Sequence, residues 1–156
     1  MNTLVLYASK HGATEAIAKE IAFHLDNAQV SQLGKGATPD LGLFDSVIIG
    51  SSLYAGSIRK EAKSFIKEHS SELYSKKLGF FLSGLNQPQA QQAFEANFPK
   101  DALSAAVSTA FLGGIFDPGK CGMLERAIMK AASKQSSYTN TISSEKIEAF
   151  AKEFII

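Results

Sequence analysis

Between Leu4 and Thr14 an apolar run breaks into a short polar loop centred on Gly12, and the loop opens at once into an amphipathic pattern. Leu4 to Ala8 reads as a buried parallel strand, and Ile17, Ala18, Ile21, Ala22 and Leu25 fall on one face of a helix. A strand that hands over to a helix within a few residues commits the chain to a βα unit. It also places Ser9 to Thr14 where backbone N–H groups have no intrahelical partner and point at an incoming anion. Ser9 and Thr14 bring hydroxyls, Lys10 brings a positive charge and His11 an imidazole that can take one up, and Gly12 allows a conformation and a close approach that a Cβ obstructs. Ala13 completes the turn into the helix. The loop suits one phosphate. It has neither the Gly-Lys-Ser/Thr ending of a triphosphate loop nor the triple-glycine pattern of a dinucleotide site.

The rest of the chain repeats the rhythm. Strand-like runs at Gln29 to Leu33, Ser46 to Gly50, Leu78 to Ser83 and Val107 to Leu112 follow the first. Helical patterns at Thr14 to Leu25, Ile58 to Glu68, Gln89 to Asn97 and Ser144 to Phe154 separate or follow them. This alternation predicts a parallel sheet covered on both faces. The last pattern carries Ile147, Phe150, Ala151 and Phe154 on one side, which should close over the sheet. The 156 residues, 45% of them hydrophobic, suit one domain with a single core. Gly34 to Gly42 reads as a loop, and the glycine-punctuated stretch Gly113 to Thr141, with a helical pattern at Leu124 to Ala131, is long for a plain connection.

Charge and cysteine content narrow the function classes. Sixteen basic against fifteen acidic side chains give a formal charge of +1, so no one-signed field recruits nucleic acid. One cysteine, Cys121, forms no internal disulfide, in keeping with a reducing compartment. No apolar stretch approaches the ~20 residues of a membrane span and no secretion-signal pattern opens the chain, so a cytoplasmic location is expected.

In an open parallel sheet a ligand lies beyond the carboxyl ends of the strands, where neighbouring connections diverge. The loops after the first, third and fourth predicted strands therefore decide the site. After the third come Ser51, Ser52, Leu53, Tyr54, Ala55 and Gly56; after the fourth come Ser83, Gly84, Leu85 and Asn86. The pattern Ser9-x-x-Gly12-x-Thr14 resembles the phosphate loop of the flavodoxin family. That resemblance implies a three-layer α/β sandwich with a five-stranded parallel sheet in the order 2-1-3-4-5, and FMN as noncovalent cofactor.

Under that reading Leu53 and Tyr54 shield one face of the flavin ring and Leu85 or Asn86 the other, while loop backbone bonds the ring edge. Gly56 gives the Ala55–Gly56 peptide freedom to reorient with the redox state. The cofactor carries the chemistry, so no side chain is nominated as a catalytic acid or base.

Within the family, Val47 to Gly56, the helix through Phe65, and Gly113 to Pro118 with Leu124 to Lys130 look like the branch containing the menaquinone-dependent protoporphyrinogen oxidases. That likeness implies electron transfer from a tetrapyrrole to a quinone, by peripheral contact with a membrane. The stretch from Gly84 to Asp101 is shorter and less basic than its counterpart there, and Tyr54 stands where that branch has a basic residue. Arg59, Lys60, Lys120, Arg126 and Lys130 remain as candidate partners for propionates. The expected function is electron transfer through FMN to a redox partner protein or a quinone. A protoporphyrinogen oxidase and a flavin-free binding module stand as alternatives, and the oligomeric state is not indicated.

Other chemistries of the same architecture are excluded by residue type. A phosphoacceptor signalling domain needs carboxylates where Ser9 and Gly50 stand. A serine hydrolase of this layered kind needs a Gly-x-Ser-x-Gly elbow, which is absent. His24 and His69 are assigned to helices, leaving His11 as the histidine of a site loop.

Overall fold

The computed structural model describes residues 2–9, 12–26, 28–85, 90–116 and 138–155. Lys10, His11, Asn86, Lys120, Cys121, Arg126, Lys130 and the helical pattern at Leu124 to Ala131 lie outside the described residues.

Five parallel strands form the main sheet: β1 (Thr3–Ala8), β2 (Gln29–Gln32), β3 (Ser46–Tyr54), β5 (Lys77–Ser83) and β6 (Ala106–Phe111). Their order is β2-β1-β3-β5-β6, with a short β4 (Ser57–Ile58) added antiparallel to the end of β3. Allowing for β4 in the count, this is the expected 2-1-3-4-5 arrangement. A separate antiparallel pair, β7 (Ile115–Phe116) with β8 (Thr139–Asn140), was not foreseen. The helices are α1 (Ala13–Phe23), α2 (Lys60–Glu68), α3 (Ser70–Tyr74), α4 (Ala90–Asn97), α5 (Lys100–Ala105) and α6 (Ser144–Lys152).

The alternation of β1 explains the layering. Leu4, Leu6 and Ala8 face one core with Ala62, Phe65 and Ile66 of α2, Leu73 of α3, Phe94 of α4 and Ala102 of α5. Val5 and Tyr7 face the other, with Ile17, Ala18 and Ile21 of α1 and Ile147, Phe150 and Ala151 of α6. Both faces of the strand are therefore dry, and each fully buried Leu or Ile contributes ~1.5–3 kcal/mol. β2 and β6 are the edges of the parallel set, and their partly exposed residues break the continuous apolar pattern of the centre.

Two glycines make the packing possible. Across the β3–β5 ladder Gly50 is paired with Phe81, and a Cβ on Gly50 would sit 2.0 Å from the Phe81 ring. Gly79 likewise makes room for Phe154, at 2.3 Å. The aromatic rings fill the space that the missing side chains leave.

At the hairpin after Gly50 two sequence boundaries needed correction. The third strand was expected to stop at Gly50, with Ser51 to Tyr54 in a loop; it runs on to Tyr54, because Leu53 pairs with Ile58 and Tyr54 with Ser57 in a hairpin. The helix expected from Ile58 starts at Lys60, since Ile58 is in β4. His24 and His69 sit at helix ends, as the C-caps of α1 and α2.

Candidate functional site

Of the loop between β1 and α1, Ser9 and Gly12 are among the described residues. Gly12 has φ +92° and ψ −13°, a region side chains rarely adopt, and a Cβ added there would meet nothing within 4 Å. The glycine thus fronts open space. Among the described residues no side-chain cap closes the start of α1, whereas Ser143 accepts the Lys146 N–H at the start of α6. The first-turn N–H groups of α1 have no intrahelical partner, and the positive end of the helix dipole lies with them. Ser9 Oγ accepts the Gly12 N–H at 3.1 Å and so closes the loop on itself.

Thr14 is fully buried, and its Oγ1 lies 2.7 Å from Ser83 Oγ. This bond ties the start of α1 to the end of β5. Ala13 is also buried. On the third-strand segment Ser51 Oγ accepts the Arg59 N–H at 2.9 Å and donates to the Ser52 carbonyl at 3.0 Å. Its hydroxyl is committed to the join between β4 and α2.

Ala55 and Gly56 form the two-residue hairpin turn, with φ +52° and +83°. Left-handed backbone at both central positions is the requirement of a type I′ turn, where alanine is a poor fit. Ala55, Gly56 and Ser57 are exposed, while Leu53 and Tyr54 are half-buried, Leu53 resting against the core. A Cβ placed on Gly84 would lie 3.6 Å from Leu53 Cβ and 3.2 Å from the Phe111 ring, so the hairpin and the loop after β5 are immediate neighbours. Gly114 in turn presses on Gly84, where a Cβ would come within 2.8 Å of its carbonyl oxygen. Gly84 N–H donates to the Gly113 carbonyl at 3.0 Å. The Gly113–Gly114 pair is therefore a close backbone crossing that supports the loop after β5. Leu85 follows, half-buried.

Beside the phosphate loop, on its β2 side, is a cleft of about 630 Å³ whose walls include Ser9, Gly12, Glu15, Lys35, Arg59 and Glu61. Arg59 Nε stands 3.6 Å from Glu61 Oε2. Tyr7 Oη donates to Glu15 Oε2 at 2.6 Å. Burial, reinforced by this bond to a carboxylate, pushes the Tyr7 phenol up to about 12. The same bond, with Lys19 one turn away, holds the Glu15 carboxyl below its usual range. These four charged walls suit ions rather than a flat apolar ring. Among the described residues no cluster of His, Cys, Asp and Glu could hold a metal ion. No helix there is long and apolar enough to cross a membrane.

A model of the flavodoxin domain matches residues 4–143, most of the chain and all of the loops just described. The chain belongs to the flavodoxin family. Flavodoxin 2 from Bacillus cereus superposes with a TM-score of 0.61 at 22% identity, covering 99% of this chain and 97% of that one. A short-chain flavodoxin associated with a PDU bacterial microcompartment gives 0.62 at 18% identity, over 98% and 96%. A flavoprotein from Lactobacillus acidophilus, solved in complex with FMN, gives 0.58 at 16% identity, over 70% and 92%. These likenesses establish the fold. In sequence, 85 residues are 29% identical to the protoporphyrinogen IX dehydrogenase [quinone] of Escherichia coli strain K12, 52% of this flavodoxin-family chain and 47% of that protein. The chain thus spans about half the length of the curated relatives it matches.

Sequence reasoning missed two contributors. Asn97, at the end of α4, bonds into the hairpin turn from 41 residues away. Tyr7 and Glu15 were read as strand and helix positions, and only the βα geometry brings them together. An asparagine closing a helix just before Phe98 and Pro99 was the visible hint of the first; the second left none.

Proposed function

We propose that this chain binds FMN noncovalently and carries electrons between a reductant and an acceptor. The observation that carries the reading is the start of α1 behind Gly12, with no side-chain cap among the described residues, at the carboxyl end of β1, the strand beside β3 in a doubly wound sheet. Bound there, FMN supplies one- and two-electron chemistry.

The protein's residues do the rest. Ser9 to Thr14, Lys10 and His11 included, anchor the phosphate, with Gly12 giving the approach and Thr14 bracing the loop from below. Leu53, Tyr54 and the Ala55–Gly56 turn form one wall for the ring, and Gly84, Leu85 and Asn86 the other. Ser51, Ser52 and Ser83 serve through backbone groups, because the Ser51 and Ser83 hydroxyls are engaged. The Ala55–Gly56 peptide lies in an exposed turn, the right place to exchange a carbonyl for an N–H toward the ring edge as its protonation changes. We place the protein in the cytoplasm, acting on a partner protein or a quinone, with peripheral membrane contact in the latter case.

A second reading, oxidation of a protoporphyrinogen-like tetrapyrrole with a quinone as acceptor, draws on the 85-residue likeness to the Escherichia coli enzyme and on Arg59 at the charged cleft. The test is turnover of FMN-loaded protein. Rapid reduction by an NADPH-linked flavoprotein reductase, with no quinone-dependent loss of protoporphyrinogen, supports the carrier. Quinone-dependent turnover supports the oxidase, and neither activity refutes both.

A further inference from the structure

We propose that Asn97 is a positioning residue for the flavin ring, one that holds the β3–β4 hairpin in its ring-facing shape; this rests on the FMN reading above. The hairpin is a weak element by itself. Only two residue pairs join its strands, Leu53 with Ile58 and Tyr54 with Ser57, and its turn carries an alanine at φ +52°. A ladder of that length does not hold a strained turn in water.

Asn97 provides the missing restraint. It is 9% exposed, its Oδ1 accepts the Ile58 N–H at 3.0 Å, and its Nδ2 donates to the Gly56 carbonyl at 2.9 Å and to the Ala93 carbonyl at 2.8 Å. The partners fix the orientation of the amide, because one faces with an N–H and two with carbonyls. The bond to Ala93, one turn back on α4, aims the side chain, and the other two grip the returning strand on either side of Ser57. Ser51 takes the next donor, the Arg59 N–H. The return from Gly56 to Arg59 is stitched at three points, and the Ala55–Gly56 peptide just before them is the part left to face a ligand.

Loss of the Asn97 clasp should leave a signature different from that of the phosphate loop. A loosened wall weakens every flavin equally, whether or not it carries phosphate. In flavin-stripped protein, Asn97→Ala should weaken both FMN and riboflavin by about tenfold, the worth of one to two buried hydrogen bonds, and leave their ratio within about twofold of wild type. Asn97→Asp keeps the acceptor for Ile58 but turns an oxygen toward the Gly56 and Ala93 carbonyls; it should lose at least as much, and carries the same test if the alanine variant does not fold.

Phe98→Leu is the control. That ring packs on Phe80 and Phe94, with centroids 4.6 and 5.5 Å away, so its loss should lower the melting temperature and leave both affinities within twofold. Folded Asn97 variants with unchanged affinities, or a Phe98→Leu loss equal to theirs, would overturn the assignment while leaving FMN binding intact. A wild-type protein that takes up neither flavin overturns the FMN reading, and the role of Asn97 with it.

Discussion

Replacing Thr14 by Val probes how the phosphate loop is fastened to the sheet. The Thr14 and Ser83 hydroxyls are 2.7 Å apart, and their residues are 0% and 2% exposed. Valine keeps the shape and removes the hydroxyl, so the Ser83 oxygen is left in a dry site without its partner. A buried hydrogen bond is worth about 1 kcal/mol net, and a stranded buried hydroxyl costs about 1–3 kcal/mol. Thr14→Val should therefore destabilise the protein by about 1–3 kcal/mol, or roughly 3–10 °C in melting temperature for a chain of this size. Ser83→Ala should cost a similar amount for the mirror reason. The double variant removes both hydroxyls and strands neither, so its loss should fall short of the sum by about 1–2 kcal/mol. Urea denaturation of the four flavin-free proteins measures that shortfall. Strict additivity, within about 0.5 kcal/mol, would refute the claim that these hydroxyls serve each other.

Other consequences are as direct. Gly12→Val places a β-branched side chain at φ +92° in the open mouth of the loop, and should weaken FMN at least about tenfold while leaving riboflavin nearly unchanged; equal losses for both would detach Gly12 from phosphate. Ala55→Gly relieves the left-handed alanine, less the extra freedom of glycine in the unfolded chain, so a net gain of up to about 1 kcal/mol should appear in thermal melts; a lower melting temperature would contradict the strained turn. Gly50→Ala drives a methyl into the Phe81 ring and should cost at least about 1–3 kcal/mol in the same assay.

The Tyr7–Glu15 pair makes stability depend on pH at both extremes. Glu15 has a lowered folded pKa, so its contribution is complete above the ordinary carboxylate range and is lost as pH falls through the folded value. The phenol of Tyr7, raised to about 12, contributes fully below about 10 and loses that contribution as pH climbs toward 12. Tyr7→Phe should flatten the dependence at the alkaline end, and ultraviolet titration of the wild type should show a tyrosine ionising near 12 that the Tyr7→Phe variant lacks; identical alkaline titrations of the two proteins, apart from the number of tyrosines, would contradict the pair.

The central βα unit was legible because its signals are local. Leu4 to Ala8 is apolar without alternation, as a strand buried on both faces must be, and Gly12 marks a position where the turn takes a left-handed backbone. The hairpin was hidden for the opposite reason. Ser51 to Tyr54 is polar and small enough to read as loop, and its strand geometry depends on Ile58 returning beside Leu53. Asn-Gly or Asp-Gly would have announced the type I′ turn, whereas Ala55–Gly56 does not. Helices α3 and α5, of five and six residues, are too short for a periodic pattern to register and are held by packing of Leu73 and Ala102. Side-chain partners over long separations left least trace. Nothing in the spacing of Thr14 and Ser83, 69 residues apart, foretells their bond, although the parallel order brings the ends of β1, β3 and β5 together.

The most direct test is a titration of flavin-stripped protein with FMN and, separately, riboflavin, followed by quenching of flavin fluorescence. The loop before α1 predicts saturable one-to-one binding of FMN that is at least about tenfold tighter than that of riboflavin, the difference being the phosphate at the helix N-terminus. Equal affinity for the two flavins would contradict the phosphate cradle, and binding of neither would contradict the flavin site as a whole.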